Sequence, residues 1–330
     1  EAALTLQIEL HALAAAEAAN GVFVTGHVSP PLLNPAPLGR PATVVGNGGD
    51  VADAGHLDAS GVERPIYDTR VAMPGGSIRL VADQGSINQA AGGVMNVSAS
   101  AGADAGSLAF SATNGSVQLA GSVLGQRAGA AGAQFSVDSG APLSLDSLAA
   151  LLSQGGIDGA VDLHSRSGDL SLSAGITLRA QRIHLSADSA DALASDGDGV
   201  VSIAGLLDAT GTAGGDVELY GRSGVLLSGV IDAHGSAADQ RGGRVSLGVG
   251  GVGNGAYDAT FGYQRIDSAA SGHIDLVAGS LIDVAGGVAG GHSGGELLLR
   301  APVLSDGGLR IAVDGGAQLR GASQPGIEAY

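Results

Sequence analysis

A chain of 330 residues carries a formal charge of −17, with 15 basic residues that are all Arg, 58 Gly, and neither Cys nor Trp. The acidic balance argues against a nucleic-acid partner held by bulk electrostatics. Without Lys or Cys there is no Schiff-base chemistry, no Lys-bearing phosphate loop, no thiolate nucleophile, no disulfide and no cysteine metal site.

Glycine stands far above its usual ~7 % share, yet no Gly-X-Y period runs through the chain, so a collagen helix is excluded. Apolar residues make up 44 % but aromatics only 3 %, which fits a thin, layered core of small aliphatic side chains. No apolar run reaches the ~18 residues that a membrane helix needs, so no membrane insertion is expected. The first residues hold neither a basic nor an apolar leader, so the sequence reads as an internal piece whose export signal lies elsewhere.

Taken in order, residues 1–70 read as irregular, Pro-rich coils and loops. Leu4 to Leu10 alternates like a strand, and Val22-Phe23-Val24 is a second short one. Pro30, Pro31, Pro35, Pro37 and Pro41 then mark an extended loop. Leu57-Asp58-Ala59 already carries a phrase that returns later. From residue 71 to 330 the pattern is a β-helix repeat with two insertions. Strand phrases run through Ile78-Arg79-Leu80, Leu108-Ala109-Phe110, Val117-Gln118-Leu119 and Phe135-Ser136-Val137. The first insertion, near 143–155, sets Leu145, Leu148, Leu151 and Leu152 at helical spacing, with Asp146 as N-cap and Gly155-Gly156 as stop. That spacing predicts a short helix packed outside the coils. Strand phrases resume with Leu163, Leu172, Leu178 and Leu185. The second insertion, near 255–265, gathers Tyr257, Phe261, Tyr263 and Arg265.

Residues 205–301 repeat themselves most openly. Leu207-Asp208, Ile231-Asp232 and Ile282-Asp283 alternate with Gly-Gly phrases at 214–215, 242–243 and 294–295. Val217, Val245, Ile274 and Leu297 occupy matching places in those phrases. A period of ~20–30 residues with strands and no obligate helix indicates a right-handed parallel β-helix, or β-solenoid, of roughly 12 coils. On this reading, glycines at phrase boundaries supply the positive-φ corners between strands. A two-sheet sandwich would not repeat side-chain identity at one period. A calcium β-roll needs tandem Gly-rich nonapeptides, and Gly46-Asn47-Gly48-Gly49-Asp50 stands alone.

The same phrases, with the tail Gly294-Gly295-Glu296-Leu297-Leu298-Leu299-Arg300-Ala301-Pro302 and Gly326-Ile327-Glu328-Ala329-Tyr330, resemble the repeats of filamentous-haemagglutinin-like large exoproteins of two-partner secretion systems. The resemblance covers residues 75–330. It implies a secreted or bacterial-surface β-helix that acts as an adhesin in virulence, or as a stalk for a distal domain. It also implies an outer-membrane two-partner-secretion transporter as partner in export, and a receptor on a host-cell or bacterial surface.

Candidate sites are few. Asp58, Asp208, Asp232 and Asp283, with Asp258 or Asp267 in a looser coil, could form a carboxylate column, but Asp beside Gly more often caps a turn. Asp188, Asp191, Asp196 and Asp198 form an acidic loop without the spacing of a calcium loop. His164, His184, His234, His273 and His292 are scattered surface histidines. The contact patch with most to recommend it is Tyr257, Phe261, Tyr263 and Arg265, at the place where the period fails. No catalytic residue, metal ligand or cofactor is expected. The function that fits is a structural and adhesive β-helical segment, with a carbohydrate-active β-helix and an inert spacer of a toxin-delivery stalk as alternatives.

Overall fold

The computed structural model describes residues 6–7, 22–24, 27–28, 41–46, 49–100, 102–127, 131–189, 197–251, 257–260, 262–264, 266–267, 270–287 and 294–330, with side chains from residue 49 onward except those of Arg64, Asp258, Tyr263 and Gln264. The chain is a parallel β-helix. It divides into two compact units, 1–141 with 150–162, and 142–149 with 163–330.

One pattern generates both units: a long strand, two short strands, then the next long strand. In the first unit the long strands are Leu6–Gln7, Pro41–Gly46, Ser77–Ala82, Ser107–Ala112 and Gln134–Ser139, each pairing in parallel with the next. Val51–Asp53, Ile87–Gln89 and Val117–Leu119 form one short-strand series, and His56–Asp58, Val94–Asn96 and Ser122–Leu124 the other. In the second unit the long series is Arg182–Ala187, Asp216–Gly221, Arg244–Val249, Gly295–Ala301 and Ala322–Ala329. Its short series run from Leu170–Leu172 to Ile311–Val313 and from Thr177–Arg179 to Gln318–Arg320.

Alternation decides which side chains face in, because successive residues of a strand point to opposite sides. Register then stacks like on like. Ile183, Val217, Val245 and Leu297 form one buried column, and Leu185, Leu219, Leu247 and Leu299 the next. Leu178, Leu207, Ile231 and Ile282 form a third. The first unit uses larger groups: Phe110 and Phe135, from adjacent long strands, place their ring centroids 5.5 Å apart at 49°. Each fully buried Leu or Ile contributes about 1.5–3 kcal/mol of transfer free energy.

Two expectations about the repeat need correction. Ile274 does not belong with Val217, Val245 and Leu297. It lies in a short strand, His273–Leu276, paired with Val225 and Ile311, while Val245 pairs directly with Leu297. The chain between Arg244–Val249 and Gly295–Ala301 makes one turn enlarged by an insertion, and Ser-Gly before His273 imitates the Gly-Gly phrase. Positive-φ corners do occur between strands, at Gly168, Gly175, Gly279 and Gly321, but the Gly-Gly pairs at 214–215, 242–243 and 294–295 are not among them. They allow close approach of backbone: a Cβ on Gly243 would lie 2.2 Å from the Ala233 carbonyl oxygen and 2.4 Å from that of Gly215.

The helix forms over Leu145–Gly155, closed by Gly156 at φ +70. It occupies the place in chain order where other turns make their two short strands. Its apolar face is interior, with Leu145, Leu148, Ala149 and Leu152 buried, so the helix does not ride on the outside. Ser144 caps it, its Oγ accepting from the Ser147 N–H at 3.4 Å. Asp146 is not the cap: its Oδ1 accepts from the Ser173 N–H at 2.9 Å. Hydrogen bonding by Ser173 holds the Asp146 carboxyl below the usual carboxylate range.

Leu219 is fully buried at the middle of its column, and Glu218 beside it points outward. Leu219→Ala should cost about 2–5 kcal/mol through the cavity it leaves. Glu218→Ala should stay within about 0.5 kcal/mol. Denaturant unfolding of the two variants tests the assignment of faces.

Candidate functional site

The recurring aspartates are in register. Asp208, Asp232 and Asp283 sit opposite one another in successive coils, with Arg179 before them and Arg320 after them in the same row. Each carboxylate folds back on its own corner. Oδ1 accepts from the N–H two residues on: Thr210 at 3.0 Å, His234 at 3.2 Å and Ala285 at 2.9 Å. Asp58 does the same with Ser60, and Asn96 with Ser98. These are turn caps that satisfy backbone donors where the strand ends. Arg179, 3.7 Å from Asp208, offsets part of the stacked charge, and His234 Nδ1 lies 2.6 Å from Asp232 Oδ1. Asp258 lies in a hairpin and Asp267 outside any strand, so neither joins the row.

The other polar candidates are held by their neighbours. Asp188 is bound by His164 at 2.7 Å, while Asp191, Asp196 and His292 fall outside the described residues. His273 lies 3.6 Å from Asp275 in its own strand. Among the described residues, no three His, Asp or Glu side chains group as metal ligands would. Tyr220 and Tyr330 keep their protons well into alkaline solution, because burial pushes both phenols up. The Tyr330 hydroxyl donates to the Val249 carbonyl at 2.6 Å, and Tyr220 and Arg222 both border Gly250. The Tyr330 bond ties the end of the last long strand to the long strand two before it.

Besides the helix, two segments break the parallel pattern among the described residues, and both are antiparallel hairpins. The expected patch is one of them. Tyr257–Asp258 pairs with Tyr263–Gln264, matching Tyr257 to Gln264 and Asp258 to Tyr263. Tyr257 is 68 % exposed. Phe261 and Arg265 lie outside the described residues, so the structure places two of the four patch residues, Tyr257 and Tyr263, on one ribbon. The base of this insertion is tied down by the Gly251–Ser271 bridge, by the Gly272 N–H donating to Gly250 O at 2.9 Å, and by the Ser305 N–H donating to Ile266 O at 2.8 Å.

The second hairpin was not legible in the sequence. Glu63–Ile66 pairs with Thr69–Ala72 across a Tyr67-Asp68 turn. Val62, Ile66, Tyr67 and Val71 are all exposed on it, and Tyr67 is 99 % exposed at φ 53. A left-handed backbone favours Gly, Asn or Asp and is costly for a bulky side chain. Neither packing nor backbone preference explains Tyr there. The turn lacks the Asn-Gly or Asp-Gly signature by which such hairpins are recognised, so a reader of the sequence sees only coil. Its root is fixed: Ser100 Oγ donates to the carbonyls of Met73 at 2.7 Å and Val62 at 3.3 Å, and a Cβ on Gly61 would meet Met73 O at 2.1 Å. Arg70 and Glu63 pair across the ribbon at 3.3 Å.

No family model, no curated protein and no solved structure matches the chain.

The cap assignment has a measurable consequence. Asp283→Asn keeps the oxygen that accepts from Ala285 and removes one charge from the row, so stability should change by less than about 0.5 kcal/mol. Asp283→Ala leaves that N–H without its partner and should cost about 1 kcal/mol. Thermal melts at fixed pH separate the two outcomes.

Proposed function

We propose that this chain is a structural and adhesive β-helical segment of a secreted bacterial exoprotein of the filamentous-haemagglutinin-like, two-partner-secretion kind. Its coils serve as scaffold, and its two hairpins carry the contacts. The observation that carries this reading is Tyr67: an aromatic side chain, almost wholly exposed, held in a backbone conformation that penalises it. Strain of this kind, of order 1–3 kcal/mol, persists where a surrounding scaffold over-determines it, and it clusters at ligand contacts. Exposed Tyr257 on the other ribbon repeats the theme, and Tyr is among the residues that most often anchor an interface.

Supporting the scaffold half of the reading, the Asp row is used up in capping corners and the columns are filled by aliphatic side chains. Export as an unfolded chain through an outer-membrane transporter suits a protein without Cys. The receptor is a component of a host-cell or bacterial surface.

Purified protein should bind such cells saturably. Tyr67→Ser combined with Tyr257→Ser should weaken binding about tenfold or more, the loss of ~1.4 kcal/mol or more expected of an aromatic anchor. Circular dichroism and melting of the double variant should match the parent. A parent that binds no cell type in the panel would make the segment a spacer. Turnover of a polysaccharide by the parent would move it to the carbohydrate-active class.

A further inference from the structure

Inside the first unit one short-strand column, apolar by type at Val24 and Leu119, turns polar in the two coils between them. Asp53 and Gln89 are register partners in adjacent parallel strands, 1 % and 3 % exposed. Asp53 Oδ1 accepts from the Gly55 N–H at 3.0 Å, and Gln89 Nε2 donates to Ser122 O at 3.2 Å. That leaves Asp53 Oδ2 and Gln89 Oε1, both buried and both without a hydrogen-bond partner. The two side chains border the same point on the backbone: a Cβ on Gly93 would lie 2.9 Å from Gln89 Cγ and 3.1 Å from Asp53 Oδ2. Two orphaned acceptors side by side in an interior cost free energy unless a proton lies between them. Turning the Gln89 amide over would give Oδ2 a donor but set Oε1 against the Ser122 carbonyl, moving the defect instead of removing it.

We propose that Asp53 is held as the neutral acid, its Oδ2–H donating to Gln89 Oε1, so that the first unit carries one buried proton as part of its fold. All four polar atoms are then satisfied. Burial is the largest influence on this carboxyl and pushes it above the usual carboxylate range; the Gly55 N–H and His56 pull it back by less. His56, in the strand that follows, is the titratable side chain that acts on it. Gln89 from the neighbouring strand is neutral, and Val24, its register partner on the other side, is apolar by type.

The sign follows by linkage. The folded chain keeps a proton that the unfolded chain releases, so stability is greatest below the unfolded value of 3.8 and falls as pH rises through the higher folded value. The first unit therefore has a built-in loosening on moving from acid toward alkaline surroundings. The hairpin at Glu63–Ile66 and Thr69–Ala72 leaves the coil one short strand after this corner.

Two measurements on the whole chain test the proposal. In the first, carboxyl 13C shifts are followed from about pH 3 to about pH 8, with the Asp53 signal identified by its absence in Asp53→Asn. The signal should titrate above the ordinary Asp value of ~3.9. Titration at or below that value would overturn the proposal. In the second, Asp53→Asn puts an N–H2 where the O–H stood. It should melt at or above the parent temperature near pH 7, and the parent's fall in melting temperature from acid to neutral should flatten. A variant that melts several degrees lower at every pH would mean that the charged form is the native one. Stabilisation of the parent by calcium, lost in Asp53→Asn, would mean that a bound cation stands in place of the proton.

Discussion

Everything in this protein depends on parallel hydrogen bonding between one coil and the next at constant register. Because the side-chain period of a strand is two, a slip of one residue would turn every inward Val, Leu and Ile outward. Register is therefore held by the core itself: Leu185, Leu219, Leu247 and Leu299 can stack only if the strands do not slide. The corners obey the same constraint. Asp208, Asp232 and Asp283 repeat because each coil must end its short strand at the same place and satisfy the same backbone donor there. The Gly-Gly pairs repeat because the chain must pass within touching distance of the backbone of the coil beside it.

A scaffold of this kind separates stability from contact. The columns and corners absorb the regular residues and leave them few outward duties. What projects is free of the register, and both projections in the described residues are antiparallel ribbons with an exposed tyrosine. The ribbons are rooted by backbone bonds at their bases, so they can hold a strained turn such as that at Tyr67 without disturbing the columns beneath.

How much of this could be read from the residues alone follows from the same physics. The parallel β-helix is legible because like residues recur: Leu207-Asp208, Ile231-Asp232 and Ile282-Asp283 are register partners as their phrases suggest. The helix is legible from Leu spacing, although spacing cannot tell an interior face from an exterior one. Ile274 misleads because a short strand and a long strand carry the same alternation, and only pairing tells them apart. Of the patch at residues 257–265, the tyrosines were visible as a lapse in the period. The hairpin at 63–72 was hidden because its Tyr67-Asp68 turn lacks the glycine that marks such turns and its Glu, Arg and Pro resemble surface coil. The Asp53–Gln89 pair was hidden for another reason: alternation with Val51 and Ile87 puts both side chains on the inner face, but their polar type reads as surface.

The most direct measurement uses the absence of native Cys. Glu218 and Ser246 are register partners on the outer face of adjacent long strands. Neighbouring strands lie ~4.8 Å apart, within the ~4.4–6.8 Å Cα separation that a disulfide spans. Glu218→Cys with Ser246→Cys should cross-link nearly completely under mild oxidation, while Glu218→Cys with Leu247→Cys, one residue out of register and facing the other way, should not. Equal cross-linking of the two pairs, or none in the first, would contradict the parallel in-register stacking on which the whole account rests.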